Sequence, residues 1–339
     1  MVRYQEGVPL STLTTMRLGG LARYVVEIRA QEDLVSAVRF AREQDLPWFV
    51  LGDGSNVVAH GDFNGLIILN RIKGFDKVDE DDRFATYEIG AGEVWDSVVE
   101  RLAKASLSGV EAMSGIPGRA GATPVQNVGA YGQEIADVLT KLEAYDTDSD
   151  RFVTLRAGDC GFSYRSSVLK SPETRHHIIS SMTLRLNREP PKPPFYPSLS
   201  RYLSDNNITD FTPAGIRAAV IAVRANVLPD PQDIASAGSF FKNPLVDRAM
   251  ADRLLEQHPD APHWEMPGNR TKLAAGWLID QAGLKSYSAH GLQIYPKNAL
   301  VVTNLSATSA EALEKFRSEV VAIVKDKFEV TLEQEPENL

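Results

Sequence analysis

Residues 114–132 read S-G-I-P-G-R-A-G-A-T-P-V-Q-N-V-G-A-Y-G, with five glycines and two prolines in nineteen positions. The stretch holds few helix formers and no block of charge, and Ile116, Val125, Val128 and Tyr131 make it too apolar for a linker. A loop this long inside a folded domain is either functional or disordered, and this composition favours function. Glycines carry no side chain, so they let backbone N–H groups approach an anion such as a pyrophosphate. A second loop of the same character, Gly52-Asp53-Gly54-Ser55-Asn56, interrupts the chain after the apolar run Trp48-Phe49-Val50-Leu51.

Working outward, Leu34, Ala37, Val38 and Ala41 recur at helical spacing behind the acidic pair Glu32-Asp33, which suits a first helical turn. The run at 48–51 reads as a buried strand, and Leu66-Ile67-Ile68-Leu69 as another, so the N-terminal lobe is expected to be α/β. Gly90-Ala91-Gly92 precedes a helix with Trp95, Val98, Val99 and Leu102 on one face. Strands resume around Leu142-Glu143-Ala144-Tyr145 and His177-Ile178-Ile179-Ser180, and the proline cluster at 189–194 marks a stiff boundary. Beyond it the pattern turns helical at 218–223, 248–256 and 273–281. The last helix carries Leu313, Phe316, Val320, Ile323 and Val324 behind a capping box, Thr308-x-x-Glu311.

At 339 residues the chain suggests about two domains, or three small ones. Lys and Arg number 36 against 45 Asp and Glu, a net charge of −9. Such a field repels phosphate backbones, which argues against a nucleic-acid binder, and any anionic ligand needs a local basic site. The single Cys160 forms no intrachain disulfide, which fits a reducing cytoplasm. The opening residues lack the apolar run of a signal peptide, and no stretch approaches the ~18 apolar residues of a membrane span.

Several familiar signatures are missing. There is no G-x-x-x-x-G-K-[ST] phosphate loop, and Trp95 stands where a dinucleotide fingerprint begun at Gly90 needs its third glycine. The six histidines show no metal-ligand spacing, so no metal is expected. Ser167-Val-Leu-Lys170 and Ser204-Asp205-Asn206 imitate a serine acyl enzyme, but the K-T-G element does not occur. Three segments look chemically loaded. In Gly161-Phe162-Ser163-Tyr164-Arg165-Ser166-Ser167 an arginine among aromatic and hydroxyl residues can fork onto a carboxylate. In Ala237-Gly238-Ser239-Phe240-Phe241-Lys242-Asn243-Pro244 a serine follows glycine with two phenylalanines behind it. The third, Leu332-Glu333-Gln334-Glu335, reads by composition alone as an acidic tail.

Taken together, the chain resembles the UDP-N-acetylenolpyruvoylglucosamine reductase family, flavoenzymes of bacterial peptidoglycan precursor synthesis. The resemblance rests on seven pieces in family order: 14–20 (T-T-M-R-L-G-G), 51–56 (L-G-D-G-S-N), 116–118 (I-P-G), 124–132 (P-V-Q-N-V-G-A-Y-G), Tyr164-Arg165, 238–244 (G-S-F-F-K-N-P) and 272–280 (K-L-A-A-G-W-L-I-D). It is the longer form of the family, with Tyr196 in the insert after the prolines. The resemblance implies an α+β protein: a two-lobed, non-Rossmann FAD-binding domain of the PCMH/vanillyl-alcohol-oxidase type, then a C-terminal α/β substrate-binding domain. The expected boundaries are 1–72 and 73–205 for the two lobes, 206–325 for the substrate domain and 326–339 for a C-terminal segment carrying a catalytic glutamate. FAD is then held by Leu51, Gly52, Asp53, Gly54, Ser55, Asn56, Ile116, Pro117, Gly118, Gln126, Asn127, Gly129, Ala130 and Tyr131. Substrate contacts are implied for Tyr164, Tyr196, Lys242 and Asn243.

NADPH is the implied co-substrate, sharing one pocket with UDP-N-acetylglucosamine enolpyruvate in a monomeric cytoplasmic enzyme. By family analogy Arg165 and Glu335 stabilise the enolate left by hydride addition, and Ser239 donates the proton. Arginine keeps its charge and grips a carboxylate at two points. Glu335 assists an anion only when protonated, a form that burial favours. Two departures from the family stand out. Val227 occupies the place of a lysine that contacts the substrate diphosphate, and Pro336-Glu337-Asn338-Leu339 replaces an apolar strand after Glu335, leaving Glu333 as a second candidate. A flavin- or nucleotide-binding protein without catalysis, and a serine acyl-transfer enzyme, are the competing readings.

Overall fold

In the computed structural model, which describes residues 2–170 and 176–339, the spacing of Leu34, Ala37, Val38 and Ala41 becomes helix α1 (Gln31–Glu43), with all four side chains buried. The strands expected on either side of the first loop form at Trp48–Leu51 and Phe63–Asn70, and they pair in parallel, Trp48 opposite Leu66. A strand the sequence reading passed over, Leu21–Ile28, precedes α1. These strands and Tyr4–Pro9 make one four-stranded sheet in the order 4–9, 21–28, 63–70, 48–51. Helix α1 covers its apolar face, packing against Val26, Ile28, Leu66 and Ile68.

The chain divides into two units. The first comprises Met1–Val8, Ala22–Asp53 and Asn64–Asn226; the second comprises Pro9–Leu21, Gly54–Phe63 and Val227–Leu339. Besides the sheet just described, the first unit has a five-stranded antiparallel sheet in the order Arg151–Arg156, Leu139–Asp146, His177–Asn187, Phe84–Gly90, Phe75–Glu80. Helix α2 (Trp95–Lys104) presents Trp95, Val98, Val99 and Leu102 to its core, the face read from the sequence. Helices α3 (Pro197–Asp205) and α4 (Pro213–Val227) belong to the same unit and share a small core of Leu199, Leu203, Ile216, Ala219 and Val220.

The Gly90-Ala91-Gly92 turn exists for packing. A Cβ on Gly92 would lie 2.2 Å from the Arg71 carbonyl carbon, and one on Gly121 would lie 2.5 Å from the Ala91 Cβ. Only bare backbone fits there, and Gly121 N–H donates to the Ala91 carbonyl at 2.9 Å. Trp95 is fully buried and donates from Nε1 to the Met113 carbonyl at 3.1 Å, so it pins the start of the 114–132 loop.

In the second unit a four-stranded sheet runs Ser236–Ser239, Val301–Asn304, Leu292–Ile294, Ser288–Ala289. A three-stranded sheet runs Leu245–Asp247, Arg270–Leu273, His263–Met266. Helices α5 (Arg248–Gln257), α6 (Ala275–Gln281) and α7 (Ala310–Phe328) accompany them. The α7 cap differs from the expected box: Ser309, in extended conformation, accepts from Ala312 N–H, and Glu311 pairs with Lys315 instead. The observed mixture of helices with mainly antiparallel sheets is an α+β architecture, as expected. No helix among the described residues is long and apolar enough to cross a membrane.

Candidate active site

The first glycine loop leaves its strand through Leu51, which is buried, into a knot of charge. Asp53 accepts from Arg119 Nε at 2.7 Å and lies 3.4 Å from Arg71 Nη2, while Arg71 Nη1 donates to the Gly52 carbonyl at 2.8 Å. Two guanidinium groups thus share one carboxylate, leaving surplus positive charge beside glycine backbone. Burial first, then the Arg119 charge, pulls the Arg71 guanidinium below its ordinary value. A Cβ on Gly52 would press on the Arg119 side chain at 3.2 Å. Gly54 crosses into the second unit at φ +62°, and a Cβ there would sit 2.2 Å from the Leu13 carbonyl oxygen, so glycine is obligatory. Its own carbonyl accepts from Thr15 N–H at 3.2 Å.

The 114–132 loop is folded, with Ile116, Val125 and Val128 packed on the core of the first unit. Pro117 is exposed, while Ile116, Gly118 and Gln126 are half-buried. Asn127 is 1 % exposed: its Nδ2 donates to Glu134 at 2.7 Å and to the Ser163 carbonyl at 3.2 Å, and its Oδ1 accepts from Ala136 N–H. Gly129 and Ala130 pair with Gln133 and Glu134 in a small hairpin whose turn holds Tyr131 and Gly132. Burial pushes the Tyr131 hydroxyl up, and its ring meets that of Tyr196 edge to face at 5.7 Å.

Arg165 sits at the tip of a tight turn closed by Ser163 and Ser166. Its Nη2 donates to the Gly129 carbonyl at 3.2 Å, and the guanidinium carbon lies 5.4 Å from the Tyr164 ring centroid. Asn127, Tyr131 and Arg165 all adopt positive φ, at 46°, 48° and 54°. Three left-handed non-glycine residues, two of them tied by side-chain bonds to the Ser163 and Gly129 carbonyls, are the kind of stored strain that gathers at functional sites.

The second unit holds the serine and C-terminal glutamate segments. Gly238, at φ +71°, turns the strand so that Ser239 is half-buried while Phe240 and Phe241 behind it are fully buried. Glu335 N–H donates to the Phe240 carbonyl at 2.9 Å, and Phe241 pairs with Gln334 in an antiparallel bridge. The segment after Ser239 is thereby paired with the segment carrying Glu335. Glu335 is 8 % exposed, whereas the Glu333 side chain is 74 % exposed and lies 3.7 Å from Lys242 Nζ. Asn243 Oδ1 accepts from Ala275 N–H at 2.9 Å and so fixes the start of α6. The residues after Glu335 are held in place: Glu337–Asn338 pair in parallel with Val57–Val58, His60 N–H donates to the Leu339 carbonyl, and Gln334 Nε2 bonds Asn338 at 2.8 Å.

Three features escaped the sequence reading. The 14–20 piece buttresses the serine strand: Thr15 Oγ1 donates to the Ser236 carbonyl at 2.6 Å, and Met16 and Leu18 are core. Its Arg17 donates to the Pro231 and Gln232 carbonyls. Arg224, one helical turn before Val227, donates to the Gly115 carbonyl at 3.1 Å beside Tyr131. Burial lowers its pKa. Asp146, His176 and His177 come together, which histidine spacing alone did not reveal. The adjacent pair His176-His177 was the available signal.

Comparison with known proteins follows the same lines. The family described as UDP-N-acetylenolpyruvoylglucosamine reductase, C-terminal domain, matches residues 230–339, and an FAD binding domain family matches residues 22–155. The chain is 40% identical over 331 residues to the UDP-N-acetylenolpyruvoylglucosamine reductase of Ralstonia nicotianae, covering 97% of each. It is also 40% identical over 336 residues to that of Cupriavidus pinatubonensis, covering 99% of each. Among solved structures, the UDP-N-acetylenolpyruvylglucosamine reductase of Thermus caldophilus superposes with a TM-score of 0.68 at 25% identity, across 100% of this chain and 98% of the other.

Proposed function

The chain belongs to the UDP-N-acetylenolpyruvoylglucosamine reductase family, and on that premise we propose that it reduces UDP-N-acetylglucosamine enolpyruvate to UDP-N-acetylmuramate at the expense of NADPH. The reaction would serve peptidoglycan precursor synthesis, and through it cell-wall biogenesis, cell shape and division, in the cytoplasm and as a monomer.

The residues present suit FAD. The cradle at Gly52 and Asp53, with two guanidinium groups sharing one carboxylate, has the charge to receive a pyrophosphate. Backbone amides of the 52–56 and 114–132 loops would share that load. Leu51, Ile116, Pro117 and Gly118 would line the same cofactor, with Gln126, Gly129, Ala130 and Tyr131. Asn127, its side chain engaged internally, would act by shaping the loop. Held by these residues, FAD would supply hydride-transfer chemistry between NADPH and the enolpyruvyl ether.

This chain's own residues handle the charge that results. Addition of hydride to the methylene leaves an electron pair shared between the α-carbon and the substrate carboxylate. Arg165, already restrained by Gly129 and a left-handed backbone, would fork onto that carboxylate. Glu335 in protonated form would donate a hydrogen bond to the same enolate. Ser239 Oγ would transfer its proton to the α-carbon, forming the new C–H bond and completing the reduction. Tyr164, Tyr196, Lys242 and Asn243 would orient the sugar nucleotide.

The observation that carries this reading is the Glu335 N–H bond to Phe240, which pairs the segment after the serine with that of the buried glutamate. Purified protein should be yellow and should consume NADPH steadily only once the enolpyruvyl sugar nucleotide is added, yielding UDP-N-acetylmuramate. Flavin-loaded protein that oxidises NADPH at the same rate without that substrate would overturn the assignment.

A further inference from the structure

At one end of two inner strands of the five-stranded sheet, Asp146 ends the strand Leu139–Asp146 and His177 begins the strand His177–Asn187, and the two are cross-strand partners. His176 precedes them in the turn, and its carbonyl accepts from Thr147 N–H at 2.8 Å. One ligand atom from each of Asp146, His176 and His177 lies within 4.8 Å of the others, and all three residues are half-buried. The two imidazoles stand 4.2 Å apart between centroids. His176 Nε2 is 4.0 Å from Asp146 Oδ1, and its Nδ1 is 3.6 Å from Asp148 Oδ2.

We propose that Asp146, His176 and His177 form a site for a divalent transition metal such as Zn(II), separate from the flavin and substrate residues. Two imidazole nitrogens and a carboxylate oxygen are borderline ligands that favour Zn(II), Co(II), Ni(II) or Cu(II) over Mg(II) or Ca(II). Bonds of about 2.0–2.2 Å place tetrahedral ligand atoms about 3.3 Å apart, so the ligand atoms, now within 4.8 Å of one another, need to draw together by about 1.5 Å. A water completes the coordination, and Asp148, 3.6 Å from the opposite ring nitrogen of His176, orients that imidazole from outside. The Asp146 carboxylate is already oriented from outside, accepting from the Ser149 hydroxyl at 2.5 Å and from Asp148 N–H at 3.0 Å, the support that metal-ligating carboxylates use. Asp146 and Asp148 bring two negative charges against two imidazoles that are neutral when they ligate, so a dication balances the group. The neighbouring Arg42 is engaged by Asp150. A bound metal would staple the turn after residue 146 to the start of the next strand.

The test uses the full-length, tag-free protein with its flavin, first stripped of metal by a chelator. Co(II) titration should give ligand-field absorption of a four-coordinate nitrogen–oxygen site at one equivalent. Zn(II), measured by competition with a chromophoric chelator, should bind one equivalent and raise the melting temperature. His176→Gln and His177→Gln should each weaken Zn(II) binding at least tenfold and abolish the thermal shift, and Asp146→Asn should weaken it similarly. His290→Gln, whose imidazole pairs with Glu319, should leave binding unchanged. Failure to bind one equivalent, or undiminished binding in His176→Gln and His177→Gln, would overturn the proposal and leave two histidines in ordinary ion pairs with an acidic turn.

Discussion

Removing residues 337–339 isolates what the last residues do for Glu335. The cut deletes five of the described hydrogen bonds: Glu337 N–H to Asn56 O at 2.9 Å, Leu339 N–H to Val58 O at 2.8 Å, His60 N–H to Leu339 O at 2.9 Å, Gln334 Nε2 to Asn338 Oδ1 at 2.8 Å, and that between His60 Nε2 and Asn338 Oδ1 at 2.8 Å. At a net worth of about 1 kcal/mol each, their loss costs about 5 kcal/mol. Freeing three ordered residues returns about 1–2 kcal/mol of backbone entropy apiece, about 3–6 kcal/mol in all. The two nearly cancel, so the melting temperature should move by only a few degrees. The flavin spectrum should also survive, because the FAD-binding match, at residues 22–155, lies outside the deleted residues. Turnover should fall, since Glu335 would keep its backbone bond to Phe240 and lose the paired strand beyond it. A fall in kcat of tenfold or more, about 1.4 kcal/mol of barrier, is expected with the enolpyruvyl substrate. Unchanged kcat in a truncated, flavin-loaded protein would refute the idea that the terminal strand positions the carboxyl.

Ser239→Ala should leave reduction of the flavin by NADPH at its normal rate and slow its reoxidation by substrate at least a hundredfold; stopped-flow traces in which both phases slow equally would argue against a proton donor. Arg165→Lys should lower kcat/KM severely, because an ammonium cannot fork onto a carboxylate, and near-normal turnover would move the anion site elsewhere. Arg71→Met should weaken FAD affinity tenfold or more, read by flavin fluorescence, with unaltered circular dichroism; undiminished affinity would remove the cationic cradle. Although burial opposes ionisation of Asp96, the Arg217 guanidinium and Gly115 N–H hold its carboxyl below the ordinary value. Its stabilisation is therefore complete above the ordinary carboxylate pKa of about 4 and fades as pH falls through the lower folded value. The melting-temperature deficit of Arg217→Met should accordingly be largest at neutral pH and shrink in acid, and a constant deficit would contradict the ion pair.

Local patterns were readable wherever burial follows a short period. The faces of α1 and α2 and the strands at 48–51 and 63–70 appear where apolar spacing put them. Leu21–Ile28 was equally available, since Ala22, Val26 and Ile28 are buried on a strand whose Arg23 and Glu27 face solvent. Partnership at long range was not. Met16, Leu18 and Val58 join the core of the second unit, more than 170 residues from most of their neighbours, and nothing in their local sequence announces it. The glycine loops, Arg165 and the serine segment were legible because residue type limits what such backbone and such charge can do. The Arg71–Asp53–Arg119 group and the clasp around Glu335 depend on distances that only folding creates.

Gly90 and Gly92 lie directly against the backbone of residues 71–74, and Gly121 against Ala91, so spacing there is set almost wholly by main chain. Core volumes can drift through exchanges among leucine, valine and methionine, and such drift ordinarily shifts neighbouring loops by fractions of an ångström. Where backbone abuts backbone, covalent geometry works as a gauge block that substitution elsewhere cannot wear down. The long glycine-bearing loop can therefore hold its calibration while the surrounding sequence diverges.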